Sequence, residues 1–129
     1  MTVEESGAGE PADPPAPGHA GVDVRRTAAG GAVCRIAGDL DLGTVSAVRS
    51  ALERAIAAKP PILVVDLAGV EFCDSAGLNL LLQTRLQAET AGVSMRLASL
   101  AASVVRVFEL TGADTVFSIH ASAEEAEHG

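Results

Sequence analysis

The stretch from Ile62 to Leu82 constrains the fold more than any other part of the chain. Ile62–Leu67 is a mostly apolar run of the length typical of a buried strand. After a loop, Asp74-Ser75 directly precedes a Leu-rich segment with helical spacing. Asp and Ser are both favoured N-cap residues, so a helix is predicted to begin at one of them. The Ser75 hydroxyl is thereby placed at a helix N-terminus, where unpaired N–H groups and the macrodipole favour negative charge.

Two roles for Ser75 are compatible with this position. The simpler role is a cap, since Ser is one of the preferred residue types at the start of a helix. The other role is that of a phosphate acceptor, because a helix N-terminus accommodates a phosphate group. The residues of this stretch alone leave both roles open.

Apolar patterns along the rest of the chain predict an α/β domain with the element order β-β-α-β-α-β-α-β-(α). Strands that alternate with helices imply parallel pairs with right-handed crossovers, and Gly30-Gly31 predicts a hairpin between the first two strands. We therefore expect a mixed, mostly parallel sheet of four to five strands flanked by helices. The predicted strands are 22–28, 32–37, 62–67, 93–97 and 116–119.

Helix boundaries are indicated by caps and breakers. The first helix is predicted to begin at Gly43 or Thr44 and to end before Pro60-Pro61, and Gly92 and Gly112 are placed to end the next two. Ser99 is predicted to cap the third helix, and Ser122-Ala123-Glu124-Glu125 has the form of a capping box before a short last helix. The positions predicted to face the core are Val45, Val48, Leu52, Ala55 and Ile56 in the first helix and Val104, Val107, Phe108 and Thr111 in the third.

The net charge of −8 belongs to the two ends of the chain. Residues 1–20 contain four acids and no Lys or Arg, and residues 122–129 contain three acids. The other 10 acids and all 9 bases lie in residues 21–121, which are nearly neutral. No basic surface for nucleic acid or anionic lipid is expected. Residues 1–20 are rich in Pro, Ala, Gly and Glu and are predicted to be a disordered acidic tail, and 21–127 the folded domain.

Targeting signals and cysteines favour the cytoplasm. No signal peptide is expected at the N-terminus, and no apolar run is long enough for a membrane span. Cys34 and Cys73 do not form a CxxC pair and are expected to be reduced and buried.

Enzymatic functions lack their usual motifs. The chain has no phosphate-binding glycine loop and no HExxH motif. None of its histidines lies next to a candidate nucleophile, and His120 is expected on the surface after the last strand. Acids at one sheet edge could hold Mg²⁺, yet they are most simply turn residues and caps. A response-regulator receiver with Asp66 as phospho-acceptor is disfavoured, because Lys59, the only lysine, precedes the third strand. We expect no enzyme, no cofactor and no metal. The acids considered are Asp39, Asp41, Asp66 and Asp74.

Three segments resemble the STAS domain of the anti-sigma factor antagonist family. Gly38-Asp39-Leu40-Asp41 is similar to the motif that follows the second strand in that family. The segment Val64–Leu78, with Asp-Ser-Ala-Gly at its end, is similar to the central motif, and Val105–Gly112 is similar to the third. The resemblance covers residues 21–127 and implies the STAS fold, with helices mainly on one side of the sheet.

The resemblance also implies a function and a site. The unphosphorylated protein is expected to bind an anti-sigma factor that has a histidine-kinase-like ATPase domain, which releases the sigma factor. That partner is expected to phosphorylate Ser75, and a PP2C-type phosphatase to reverse the reaction; position 76, often Ser or Thr in the family, is Ala here. An alternative is a STAS module of a larger complex, such as a stressosome-like sensor or a transporter subunit, without serine phosphorylation. The expected partner-binding residues are Asp39, Asp41, Asp74, Ser75 and Asn79.

Overall fold

A computed structural model describes residues 21–128, which form one five-stranded sheet with helices on both faces. The spatial order of the strands, β1-β2-β3-β4-β5, is also their order along the chain. The first two strands form an antiparallel hairpin and every other neighbouring pair is parallel, so the predicted mixed, mostly parallel sheet is confirmed. The strands are β1 Gly21–Arg26, β2 Ala32–Ala37, β3 Ile62–Gly69, β4 Ser94–Ala98 and β5 Ile119–His120. The predicted tail, residues 1–20, lies outside the described residues.

Within residues 21–128, four α-helices connect or follow the strands. The first two pack against each other, and all five residues predicted to face the core in α1 are buried. Gly92 ends α2 in the left-handed conformation (φ 76°), where the Val93 N–H donates to the Ala88 carbonyl, so β4 begins one residue later than predicted. The helices are α1 Val45–Ala57, α2 Ser75–Ala91, α3 Ala102–Thr111 and α4 Ala123–His128.

The larger core lies between one face of the sheet and helices α1, α2 and α3. Because side chains alternate along a strand, Cys34 and Ile36 point to this face together with Leu63, Val65 and Leu67 of the neighbouring strand. The helices close over these residues with aliphatic side chains and with Phe108. Apart from two phenylalanines and two cysteines, this core is aliphatic, in a chain that has no Trp or Tyr.

The second face of the sheet is covered by the short helix α4. Ala126 is fully buried against Val33, Val64 and Ala98, which form a small separate core. The Arg25 guanidinium binds the Glu127 carboxylate at 2.7 Å, and Arg96 donates to the Ala126 carbonyl at 2.7 Å. The Ser122 hydroxyl oxygen accepts a hydrogen bond from the Glu125 N–H at 3.1 Å, as the predicted cap requires.

Ser99 does not cap α3, so this prediction is wrong. Its φ of 63° is left-handed, whereas the N-cap is Ala101, with extended backbone angles. The chain must leave β4 and turn back over the core before α3 begins, and this turn separates Ser99 from the helix. Val104 and Phe108 face inward as predicted, Val107 is half-buried, and Thr111 is exposed, which corrects its assignment to the inward face.

The last strand is shorter than the predicted 116–119. Gly112, at φ 79°, leads into a 3-10 turn over Ala113–Thr115, and only Ile119–His120 pairs with β4. Phe117 is buried beside Phe108, with ring centroids 5.6 Å apart. The Phe117 side chain packs into the core, and the backbone joins the ladder only after it, where the Ser118 carbonyl accepts the Leu97 N–H at 2.8 Å. His120 therefore lies within β5, half-buried and not beyond it as predicted, with its Nε2 2.9 Å from the Ser118 hydroxyl.

Candidate functional site: the N-terminus of α2

Ser75 is the first residue of α2, and its side chain is exposed. Asp74 is the N-cap: its backbone is extended (φ −96°, ψ −172°), and its Oδ1 accepts a hydrogen bond from the Gly77 N–H at 3.0 Å. The structure thereby assigns the capping role to Asp74. The Ser75 hydroxyl stands at the positive end of a 17-residue helix without serving as its cap.

Two connections meet at this helix end: residues 38–44 between β2 and α1, and residues 70–74 between β3 and α2. The Leu40 N–H donates to the Phe72 carbonyl at 2.9 Å, and the Asp74 N–H donates to the Leu40 carbonyl at 3.1 Å. Leu40 and Cys73 form an isolated parallel bridge beyond the ends of their strands. Because β2 and β3 are parallel neighbours, their carboxyl ends lie at one edge of the sheet. We call the region formed by the two connections and the first turn of α2 the carboxyl edge.

Asp74 holds both connections together. One carboxylate oxygen caps α2, while the other, Oδ2, accepts the Leu42 N–H at the long distance of 3.4 Å. The bond is weak at this length, yet it places Leu42 next to the start of α2. Asp74 is thus a positioning residue for this edge as well as a cap.

The connection after β2 is a closed turn built around a buried threonine. The Thr44 hydroxyl donates to the Asp39 carbonyl at 2.9 Å and accepts the Asp41 N–H at 3.0 Å. The Asp41 carboxylate accepts the Gly43 N–H at 2.9 Å, so Asp41 has the turn role that its residue type suggested. The carboxylate of Asp39 is exposed beside it. Sequence reasoning missed Thr44 as an organiser of the turn, because its partners are backbone atoms.

Gly77 allows α2 to approach the connection after β2. A Cβ atom on Gly77 would overlap the carbonyl oxygen of Leu40 and contact its side chain at 2.9 Å. The glycine is therefore required by close approach between two segments that are distant in sequence. In the sequence it is visible only as one letter of the Asp-Ser-Ala-Gly motif.

The structure separates the predicted acids. Asp39, Asp41 and Asp74 are brought to the carboxyl edge with Ser75, and Asn79 is exposed one turn further along α2. Asp66 lies within β3, where its carboxylate accepts the Ala68 N–H at 3.0 Å. Within residues 21–128, no cluster of three or more His, Cys, Asp or Glu side chains could hold a metal ion.

Neither cysteine provides a nucleophile at this site. Cys73 lies next to Asp74 but is buried, and burial together with the negative charge of Asp74 raises its pKa to about 11. Burial also raises the pKa of the Cys34 thiol to about 11. Both thiols are free, and at neutral pH both are protonated and unreactive.

Comparison with known proteins identifies the family. The model of the STAS domain matches residues 22–126. The chain belongs to the STAS domain family. This confirms the resemblance drawn from the three sequence motifs. Among residues 21–128 of this STAS domain, no helix combines the length and apolarity needed to cross a bilayer.

Relatives of this STAS domain include anti-sigma factor antagonists. The chain is 35% identical over 102 residues to the Anti-sigma-F factor antagonist RsfB of Mycobacterium tuberculosis, covering 78% of this chain and 81% of that protein. It also resembles the crystal structure of an anti-sigma factor antagonist from Mycobacterium paratuberculosis, with a TM-score of 0.80 and 28% identity over 88% of this chain and 96% of that one. The fold is shared with the Bacillus protein SpoIIAA in its phosphorylated form (TM-score 0.65, 22% identity, covering 84% of this chain and 97% of that one).

Proposed function

We propose that this STAS domain is an anti-sigma factor antagonist that acts as a binding switch and not as an enzyme. In its unphosphorylated form it binds an anti-sigma factor that carries a histidine-kinase-like ATPase domain, and the sigma factor is released. The same ATPase domain phosphorylates Ser75, which ends the binding, and a PP2C-type phosphatase restores it. The relatives at 35% and 28% identity are anti-sigma factor antagonists, which supports the antagonist function. The proposal rests chiefly on the exposure of Ser75 at a helix N-terminus, where Asp74 provides the cap.

A phosphate on Ser75 is compatible with the folded domain. It adds about −1.5 to −2 charges. Negative charge at the N-terminus of a helix is stabilising by about 0.3–1 kcal/mol, and repulsion from the neighbouring Asp74 offsets part of that gain. Because the Ser75 side chain is exposed, the phosphate displaces no buried group. The free energy of unfolding is therefore expected to change little.

The same phosphate has a large effect on a partner that covers Ser75. Docking over it removes water from a charge that has no matching cation, and the cost is several kcal/mol. A loss of about 2.8 kcal/mol already lowers the affinity about 100-fold. The modification therefore changes association and leaves the fold intact.

The partner-binding surface of this proposal is the carboxyl edge. Asp39, Asp41, Asp74 and Ser75 lie within the interface, and Asn79 lies at its far side on α2. The switch operates in the cytoplasm through protein contacts, without direct contact to nucleic acid or membrane. This assignment is supported by the single edge that these residues share.

Phosphomimetic substitution tests the switch. Ser75→Asp is expected to keep the melting temperature but to weaken binding to the cognate anti-sigma factor at least tenfold, measured by calorimetric titration. Ser94→Asp is the matched control, since Ser94 is exposed at the amino end of β4, on the opposite edge of the sheet. Its affinity is expected to stay within about twofold of the parent. A Ser75→Asp protein that binds as tightly as the parent contradicts the proposal.

Phosphorylation itself is tested with the partner and ATP. Mass spectrometry is expected to find one phosphate on the parent protein, at Ser75, and none on Ser75→Ala, which still binds. Absence of phosphate on the parent favours the alternative of a STAS module in a larger complex. Phosphate at a different residue contradicts the assignment of Ser75.

A further inference from the structure

Two exposed apolar side chains flank Ser75 at the carboxyl edge. Leu42 is 77% exposed and Phe72 is 52% exposed. Single exposed apolar residues are ordinary on protein surfaces. These two differ from the others because they lie on two connections that hydrogen bonds hold together around the N-cap of α2. The other exposed large apolar residues within 21–128 are Val24, Leu86, Leu110, Val116 and Ile119.

The backbone that carries this pair is ordered by hydrogen bonds. The Phe72 carbonyl accepts the Leu40 N–H at 2.9 Å, and the Leu42 N–H donates to the Asp74 carboxylate at 3.4 Å. The turn around Leu42 is closed by the Thr44 hydroxyl and by the Asp41 carboxylate. Presentation of apolar groups on a preorganised backbone lowers the entropy lost on binding.

Any protein that reaches the Ser75 hydroxyl must also cover this pair. Phe72 precedes Ser75 by three residues, so their Cα atoms are within about 11 Å of each other. The Leu42 N–H is hydrogen-bonded to Asp74, the residue before Ser75. A stable interface buries about 800 Å² on each partner, which for a round patch is about 16 Å in radius. An interface centred on Ser75 therefore includes Leu42 and Phe72.

We propose that Leu42 and Phe72 are the apolar anchors by which this protein docks the ATPase domain of its anti-sigma factor. This inference rests on the proposed function, because it takes the protein that phosphorylates Ser75 as the occupant. The surface that receives the pair has two apolar depressions and carries basic side chains opposite Asp39 and Asp41, but none opposite Ser75. Apolar burial provides affinity, and the Ser75 hydroxyl at the centre provides the point of control.

Alanine substitutions with exposure-matched controls test this inference. Leu42→Ala is paired with Leu110→Ala, because Leu110 is 78% exposed in the last turn of α3. Phe72→Ala is paired with Leu86→Ala, because Leu86 is 57% exposed and lies 11 residues after Ser75, about 16 Å along α2. The probe is the cognate anti-sigma factor containing its ATPase domain. Leu42→Ala and Phe72→Ala are each expected to weaken binding at least tenfold, whereas both control variants stay within about twofold.

Phosphorylation kinetics provide a second measurement. Loss of docking contacts is expected to raise the KM for phosphorylation of Ser75 at least tenfold in both anchor variants and to leave kcat within about twofold. Melting curves are expected to match the parent for Leu42→Ala. If Phe72→Ala melts at a lower temperature than the parent, the comparison of Leu42→Ala with its control Leu110→Ala decides the result.

The outcomes separate this inference from the proposed function. Loss of affinity below tenfold in both anchor variants overturns the inference, even where Ser75→Asp abolishes binding. Equal losses in the anchor and control variants also overturn it, because they show that apolar exposure in general drives association. If the anchor variants lose affinity while Ser75→Asp does not, Leu42 and Phe72 are supported as docking residues and the phosphorylation switch at Ser75 is contradicted.

Discussion

Gly77 faces Leu40 so closely that a methyl group on the glycine would overlap the Leu40 carbonyl oxygen. This contact joins the first turn of α2 to the connection after β2. It sets the distance between Ser75 and the turn that carries Asp39, Asp41 and Leu42. The geometry of the whole carboxyl edge therefore depends on the absence of a Cβ atom at Gly77.

Gly77→Ala is expected to destabilise the domain, although the substitution normally favours a helix. The added methyl group overlaps backbone and pushes α2 away from the connection after β2, at a cost of about 1–3 kcal/mol. The free energy of unfolding in urea measures this loss. Ser50→Ala, at an exposed position in α1, is the control and is expected to be neutral or slightly stabilising. A Gly77→Ala protein as stable as the parent would show that the two segments separate freely.

Asp74→Ala is expected to lower the free energy of unfolding by about 1–2 kcal/mol, because the α2 cap and the acceptor for the Leu42 N–H are both lost. Asp74→Asn keeps a side-chain oxygen that can accept the Gly77 N–H and is expected to lose less. Asp39→Ala removes an exposed carboxylate from the same edge and serves as the control for charge, with a change below about 0.5 kcal/mol. Equal effects of Asp74→Ala and Asp39→Ala would contradict the positioning role.

Stability is expected to fall at alkaline pH because both thiols are buried. Burial raises the pKa of Cys34 from 9.0 to about 11, and burial with the Asp74 charge does the same for Cys73. The unfolded chain releases these protons near pH 9 and the folded domain near pH 11, so the contribution is complete below pH 9 and is lost between pH 9 and 11. The expected loss is about 2 kcal/mol per thiol, below the full conversion of about 1.4 kcal/mol per pKa unit because solvent screens part of each charge.

The composition of the chain leaves few other groups to affect stability between pH 9 and 11. There is no Tyr, and Lys59 is the only Lys, so few other groups titrate between pH 9 and 11. Urea unfolding of the parent at several pH values in this range is compared with the Cys34→Ala, Cys73→Ala double variant. The variant is less stable at neutral pH but is expected to have a flatter pH dependence. Parallel pH profiles would show that the thiols do not cause the slope.

Ala126→Asp is expected to detach α4 from the second face of the sheet. Ala126 is fully buried against Val33, Val64 and Ala98, and a carboxylate there finds no partner among these residues. Undocking of the helix avoids burial of the charge but exposes apolar surface, with an expected loss of about 2 kcal/mol. Glu124→Ala, at an exposed position of the same helix, is the control.

The ion pair that holds α4 is expected to contribute much less than its apolar contact. The Arg25 side chain is 58% exposed in its pair with Glu127, and exposed pairs contribute about 0–1 kcal/mol. Arg25→Ala is therefore expected to lose less stability than Ala126→Asp. The reverse order in urea unfolding would contradict the role of the small second core.

Local sequence signals were reliable where one element carries its own start, stop and apolar face. The inward positions of α1, the start of α2 at Asp74-Ser75 and its end at Gly92 could all be predicted from residue spacing and capping preferences. The same reasoning failed for Ser99 and for the strand predicted at 116–119. At those places the path of the chain is set by the packing of α3 and by the Phe108–Phe117 contact, which bring together residues outside any local window.

By itself, the sequence determined the α/β class, the mixed sheet, the family motifs and the position of Ser75 at a helix N-terminus, because periodicity and capping are properties of short segments. Only the tertiary structure decided that Asp74 is the cap, that Gly77 must be small and that Leu42 and Phe72 flank the serine. The last two depend on residues 38–44 lying against residues 70–77. That contact forms when two parallel strands end at the same edge, and no local pattern encodes its distances.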